Sequence, residues 1–325
     1  MREKLTFWLI TVVLSALGVT GWSQQSEQFS LYFLDPYINN PAYAGLDGSL
    51  SLTGGLRQQW TDLPGRPSTQ LLQAHMPWYY ASGAVGAQFI NEQIGNGAIT
   101  HVSLSYNYVW QGEEVLLSAG LSGGLSMRRF NGADWRAPEG LYGPGTIDHQ
   151  DPELSEQAVS GNAPFLAIGV YGIWRDLEGG VSMRQVTSPE AALDPLGNFG
   201  FRNWWQAQFL YNWAISPVIT LRPSFQVKTD GVKWQSDVSA MVSYNGKLFG
   251  GISLRGFSGS TINALIFAGG LQLNEHYQLA YSFDYTIGPL SPVAGASHEI
   301  MVRYNLNKRI GGTGLPRIIY NPRFL

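Results

Sequence analysis

From about Ser49 onward the chain alternates apolar and polar side chains. Tyr277, Leu279, Tyr281, Phe283 and Tyr285 share one parity, while Gln278, Ala280, Ser282 and Asp284 take the other. Val102, Leu104, Tyr106 and Tyr108 stand in the same way against His101, Ser103, Ser105 and Asn107. Trp205, Ala207, Phe209, Tyr211 and Trp213 oppose Gln206, Gln208 and Asn212. A period of two puts each set on one face of a β-strand. Stretches of about ten residues match a strand that crosses a membrane at a tilt, whereas a sandwich is satisfied by shorter ones. About fourteen such segments follow one another: 49–58, 68–76, 82–91, 99–110, 114–128, 163–174, 178–187, 203–215, 218–228, 234–245, 247–256, 260–273, 276–286 and 296–306. The sixth and the twelfth are apolar on both faces and rest on length and position instead.

The connections give an independent test. Gln111–Glu113, Arg175–Leu177, Ser216-Pro217, Asn245-Gly246 and Asn274-Glu275 are tight turns, and between them fall longer loops, notably 129–162, 188–202 and 287–295. Short and long links alternate in register with the strand count, the asymmetry of periplasmic turns and extracellular loops. Closure is required, because an unpaired strand edge in hydrocarbon leaves backbone groups without partners at several kcal/mol each. The expected fold is all-β: a closed antiparallel transmembrane barrel of about fourteen strands. By this topology loops 129–162 and 188–202 face outward, and Asn245-Gly246 and both termini face the periplasm. Trp60, Trp78, Tyr79, Trp110, Trp174, Trp213 and Trp234 fall near strand ends, where interfacial girdles sit.

Composition agrees with a barrel. The chain is 13% aromatic and only 13% charged, where ordinary soluble domains carry about 25% charged residues. Ahead of the strands, a basic start (Arg2 to Lys4) leads into the apolar run Leu5 to Val19, with small residues at Gly21 and Ser23. That is a secretory signal peptide, 1–23, with the mature chain beginning at about Gln24. An anchor helix is the alternative, but the run falls short of the roughly 20 residues that span a bilayer. With no cysteine, there are no disulfides, thiolate nucleophiles or lipoprotein anchor. A net charge of −3 argues against a nucleic-acid partner.

Several short motifs now bring a family into view. Gln28-Phe29-Ser30 with Tyr32, then Asn40-Pro41-Ala42-Tyr43-Ala44-Gly45, resembles the opening of the PorP/SprF family. Arg57-Gln58-Gln59-Trp60, Gly65-Arg66-Pro67 with Thr69, His75-Met76-Pro77, and Ser297-His298-Glu299-Ile300 follow in that family's order. The resemblance spans residues 28–306. The twenty or so residues after Asn305 depart from it. It implies an outer-membrane protein of the type IX secretion system, not an enzyme. It also implies partners: a secreted adhesin carrying a type B C-terminal sorting domain, other type IX components at the periplasmic face, and outer-membrane lipids. Surface display and gliding motility are the processes such proteins serve.

Candidate chemistry is sparse. Parity puts Arg57 on the polar face of the first segment, Asp284 on that of the thirteenth, and Glu299 and Arg303 on that of the fourteenth. In a closed barrel these segments are neighbours, so the four can form one lumen network of neutralising charges. A structural role is the simpler reading, and a contact with a client or a plug the functional one. Arg184, Arg222 and Lys228 form a second, basic stripe. Asp148, His149, Asp151, Glu153 and Glu156 cluster in loop 129–162, but in no calcium-loop spacing, so a solvated loop is expected. The five histidines have no metal-site spacing, and no cofactor or catalytic constellation is evident. Gly120, Gly123 and Gly124 lie within a strand, which excludes a phosphate loop. Trp135, Trp204 and Trp205 are candidate anchors for a partner.

Segments 24–48 and 307–325 are not strands. The first is rich in Pro, Asn and aromatics and lies in the lumen or beneath the barrel. The second carries Lys308, Arg309, Arg317 and Arg323 without an acidic residue, and either plugs the lumen or extends into the periplasm. Two function classes follow. One is a client-binding barrel of the secretion system, favoured by a lumen face of mostly Ser, Gln, Asn and Gly. The other is a passive porin for small solutes, with a rim-site hydrolase a distant third.

Overall fold

The computed structural model describes residues 27–310, apart from 145, 152–153, 194–196, 258–260 and 309. The signal peptide and most of tail 307–325 lie outside those residues. Fourteen membrane strands run in sequence: β1 (Ser51–Gln58), β2 (Ser68–Trp78), β3 (Gly83–Ile94), β4 (Gly97–Gln111), β5 (Val115–Asn131), β6 (Ala158–Trp174) and β7 (Leu177–Arg184). There follow β8 in two pieces (Trp204–Tyr211 and Trp213–Ser216), β9 (Ile219–Thr229), β10 (Trp234–Tyr244), β11 (Leu248–Phe257), β12 (Thr261–Gln272), β13 (Tyr277–Thr286) and β14 (Ser297–Asn305). Each pairs antiparallel with the next, and β14 returns to β1 with Glu299 opposite Arg57, so the sheet closes on itself. Every strand expected from alternation is present, including the two apolar ones.

The differences lie at the outer ends. β5 and β6 run on to the pair Asn131–Ala158, so loop 129–162 shrinks to 132–157. Above the hydrocarbon a strand needs no apolar face. Arg128, Arg129 and Asn162 therefore break the alternation while the hydrogen-bonded ladder continues. The remaining loop carries a small hairpin, Leu141–Gly143 against Thr146–Asp148, and loop 188–202 another, Glu190–Ala192 against Asn198–Gly200.

Outward-facing positions are apolar and open, as at Leu104 (69% exposed), and inward ones are buried and mostly polar. Trp78, Trp110, Trp174, Trp213 and Trp234 stand on the outward face near strand ends, where a girdle belongs. Trp60 and Tyr79 do not. They turn toward the two mouths of the lumen and line chambers there.

The lumen is filled. Residues 27–48 lie inside the barrel, nearly all of them buried. Two 3-10 turns organise this plug, Pro36–Ile38 and Pro41–Tyr43. Proline suits a first turn position because its missing N–H needs no partner there. The Asp35 carboxylate accepts from Tyr37 N–H at 3.2 Å and the Asn40 side chain from Ala42 N–H at 3.0 Å, capping each turn. Glu27 lies among the loop-side ends of β4, β7 and β9, whereas Asp47 meets the turn-side end of β1. From Glu27 the described chain thus descends from the outer mouth toward the turn-side end; the expected periplasmic amino-terminal end lies outside the described residues. Period-two reasoning has no purchase on a segment built of turns.

Candidate functional site

The plug's backbone has no strand partner, so its polar groups are satisfied by its own turns and by the wall. Asn107 donates from Nδ2 to the carbonyls of Ala42 and Ala44 at 2.8 Å each, and Asn40 donates to the Val170 carbonyl at 3.0 Å. Tyr37 Oη meets Ser105 Oγ at 2.8 Å, and Tyr32 Oη lies near Ser224 and Ser239. Two wall glycines make room. A Cβ at Gly120 would lie 2.4 Å from Ala42 N, and one at Gly86 2.4 Å from the Tyr37 hydroxyl. Leu31, Phe33 and Ile38 pack with Leu71, Ile90, Met241 and Met301 of the wall in an apolar core.

Charges gather toward the outer end. Arg57, 1% exposed, reaches Asp284 at 2.7 Å and Glu299 at 3.0 Å. Arg255 reaches the same Asp284 at 3.0 Å and Asp237 at 2.8 Å. Ser30 of the plug sits at the centre. Its hydroxyl donates to Asp284 at 2.7 Å and accepts from Arg57 and Arg255 at 3.0 Å each. Its N–H donates to Glu299 at 2.7 Å, and Leu31 N–H reaches the other Glu299 oxygen at 3.2 Å. Glu27 is held separately, by Arg184 at 3.1 Å, His101 at 3.0 Å and, through its carbonyl, Lys228 at 3.0 Å.

Of the four network residues expected from parity, three come together: Arg57, Asp284 and Glu299. Arg303 faces the lumen but stands apart, because four residues along a strand is about 13 Å. It donates instead to the Asp47 carboxylate and, at 2.5 Å, to the Leu34 carbonyl. Near it Asp35 accepts from Thr53 at 2.6 Å and Gln73 at 2.8 Å, with His75 Nε2 at 3.4 Å.

The lumen is thus richer in charge than its sequence face suggests, but Arg57, Arg184, Arg255 and Arg303 each face a carboxylate. Arg255 and Asp237, directly opposed across β10 and β11, were open to the parity rule that found Arg57. Glu27, Ser30, Asp35 and Asp47 were not, since nothing periodic marks the plug. Among the partner anchors, Trp135 lies half-exposed in the outer loop, edge-on to Phe130 at 5.1 Å. Trp204 lines a small hollow at the outer mouth with Phe201 and Arg184. Trp205 points outward toward lipid, because it takes the other parity on the same strand. His149 is buried and engaged with the Tyr142 hydroxyl at 3.0 Å and the Gly132 carbonyl at 3.1 Å, a structural post within its loop. Glu153 of the same cluster lies outside the described residues. Among the described residues no group of three or more His, Cys, Asp or Glu has metal-binding geometry.

Residues 22–304 match the sequence pattern of the type IX secretion system membrane protein PorP/SprF. The chain belongs to the PorP/SprF family. Its family and fold are those of an outer-membrane secretion barrel, not of an enzyme. No curated protein matches it. Among solved structures, the CymD monoaromatic hydrocarbon channel superposes with a TM-score of 0.52 at 9% identity, over 84% of this chain and 93% of that one. Omp33 of Acinetobacter baumannii gives 0.47 at 6% identity, covering 79% and 98%. A Pseudomonas aeruginosa FadL homologue gives 0.47 at 9%, covering 82% and 93%. At 9% identity the likeness to CymD speaks for the fold alone.

Proposed function

We propose that this PorP/SprF barrel is a plugged interaction protein that binds a specific secreted surface protein and holds or releases it at the outer membrane. The client class is an adhesin with a type B C-terminal sorting domain, engaged by the outer loops and upper lumen. Other secretion components meet the periplasmic face. The observation that supports this reading is the plug. Residues 27–48 occupy the lumen through buried hydrogen bonds and paired charges, an arrangement suited to a scaffold more than to a solute path. Trp135 and Trp204 supply aromatic anchors on the outward side. Trp205 drops out of the set because it faces lipid.

Deleting the gene should abolish surface display of one adhesin and leave small-solute uptake unchanged, while purified barrel in planar bilayers conducts poorly. Large, steady single-channel currents together with normal adhesin display in the deletion strain would favour the passive porin and overturn the proposal.

A further inference from the structure

At the outer mouth, between the plug and the loop after β13, lies a chamber of about 320 Å³. That is within the range of small-molecule sites, about 300–1,000 Å³. Its floor is the paired Arg57 and Asp284, its sides carry the amides of Gln59 and Asn263, and Trp60 and Leu290 supply apolar surface. A few convergent polar groups beside an aromatic ring is the usual make-up of a ligand site.

Trp60 makes the chamber more than a gap between loops. Its φ is +53°, the left-handed region that a bulky side chain avoids. Such strain persists where the surroundings impose it, and it concentrates at functional positions. Here the surroundings are specific: Trp60 N–H donates to Ser297 Oγ at 3.1 Å, and Thr61 N–H to the Ala296 carbonyl at 2.9 Å. The strand-end tryptophans of the girdle point outward, whereas this one is turned to the chamber and only partly covered.

The floor selects the ligand. Arg57 and Asp284 are already bonded to each other, so a charged ligand would have to break a buried pair, which is costly. A neutral polyol can donate to the carboxylate and accept from the amides without doing so. A sugar ring also has an apolar C–H face that stacks on an indole. We propose that this chamber is a carbohydrate site at the outer mouth, taking a neutral sugar, with Trp60 as the stacking face and Gln59, Asn263 and Asp284 as hydroxyl partners. It stands independently of the client reading.

The test uses the purified full-length barrel in a sugar-free detergent such as an oligo-oxyethylene. Neutral hexoses, deoxyhexoses, N-acetylhexosamines and their disaccharides are titrated by calorimetry. Saturable binding of at least one of them is expected. Trp60→Gly, which removes the ring yet tolerates the positive φ, should weaken it by about tenfold or more, a loss of about 1.4 kcal/mol. Asn263→Ala should weaken it as well, and Trp174→Phe, in the outward girdle away from the chamber, should not. Absence of saturable binding across the panel overturns the proposal. So does binding that survives both Trp60→Gly and Asn263→Ala, or a chamber that takes an unglycosylated adhesin peptide and no sugar. Adhesin display is scored separately in cells, so failure here leaves the proposed function untouched.

Discussion

The outer lip of the plug, Glu27–Ser30, and its body, Leu31–Gly48, are held by different mixtures of contacts. The body makes its own turns: Leu34 N–H bonds to the Leu31 carbonyl at 3.0 Å, Ile38 to Asp35 at 3.1 Å, Tyr43 to Asn40 at 3.1 Å and Gly48 to Gly45 at 3.0 Å. Its fit to the wall is mainly steric, with Tyr43 edge-on to Tyr171 at 5.0 Å and Ala42 pressed on Gly120, joined toward the turn-side end by Arg303 on Asp47 and His75 beside Asp35. The lip is gripped by the wall's ionic side chains, through Glu27 below the outer loops and through Ser30 among Arg57, Arg255, Asp284 and Glu299. Shape-matched packing is close to all-or-none. Charged hydrogen bonds can be exchanged one at a time for those of a ligand. On the proposed reading, the body serves occlusion and the lip, next to the outer chamber, serves recognition.

The largest effect should come from the charges. Arg57→Ala leaves Asp284 and Glu299 facing each other with less compensation in a buried setting, and breaking such a pair costs about 3–5 kcal/mol. The midpoint of thermal unfolding in detergent should fall accordingly. Adding Asp284→Asn and Glu299→Gln should recover most of the loss, because the stranded charges are then gone. If Arg57→Ala is silent, the lip is not held electrostatically and the comparison fails.

How much of this could be read from the residues follows from what leaves a period. Strands in lipid obey an alternation that solvent imposes on every second side chain, so Val102 to Tyr108 and Tyr277 to Tyr285 declare their faces directly. Closure then makes β14 and β1 neighbours, and from that Arg57, Asp284 and Glu299 meet. Arg303 was misplaced for want of vertical register, which parity does not contain. The plug was legible only as a non-strand. Its proline-led turns can be recognised at Pro36 and Pro41, but its direction depends on long-range bonds such as Ser30 to Glu299, 269 residues apart. The turn of Trp60 toward the mouth depends likewise on Ser297, and a tryptophan near a strand end otherwise reads as girdle.

Next in size is a steric test of the body. Gly120→Ala puts a Cβ 2.4 Å from backbone nitrogen of Ala42, which cannot swing aside as a side chain would. Overpacking of this kind costs about 1–3 kcal/mol. The plug should lift from its seat, lowering the unfolding midpoint and raising conductance in planar bilayers. Gly123→Ala, where nothing lies within 4 Å, is the control and should change neither. Equal behaviour of the two variants would mean that the body is not locked by shape.

The smallest effect separates lip from body most finely. Ser30→Ala removes the hydroxyl that donates to Asp284 and accepts from two arginines, but it leaves the direct contacts of Arg57 and Arg255 with Asp284 at 2.7 and 3.0 Å. Ser30 N–H to Glu299 is a backbone bond and also survives. The expected loss is therefore only about 1 kcal/mol, the net worth of a typical hydrogen bond. The adjoining chamber can supply a water to the vacated position, which limits the loss further. The lip should nonetheless loosen while the body stays seated. In Ser30→Ala a cysteine introduced at Gln28 should react faster with a membrane-impermeant maleimide in whole cells, and planar-bilayer conductance should stay at the wild-type level. The chain has no cysteine of its own to confuse the signal. If conductance rises together with labelling, lip and body move as one unit, and the division between recognition and occlusion is wrong.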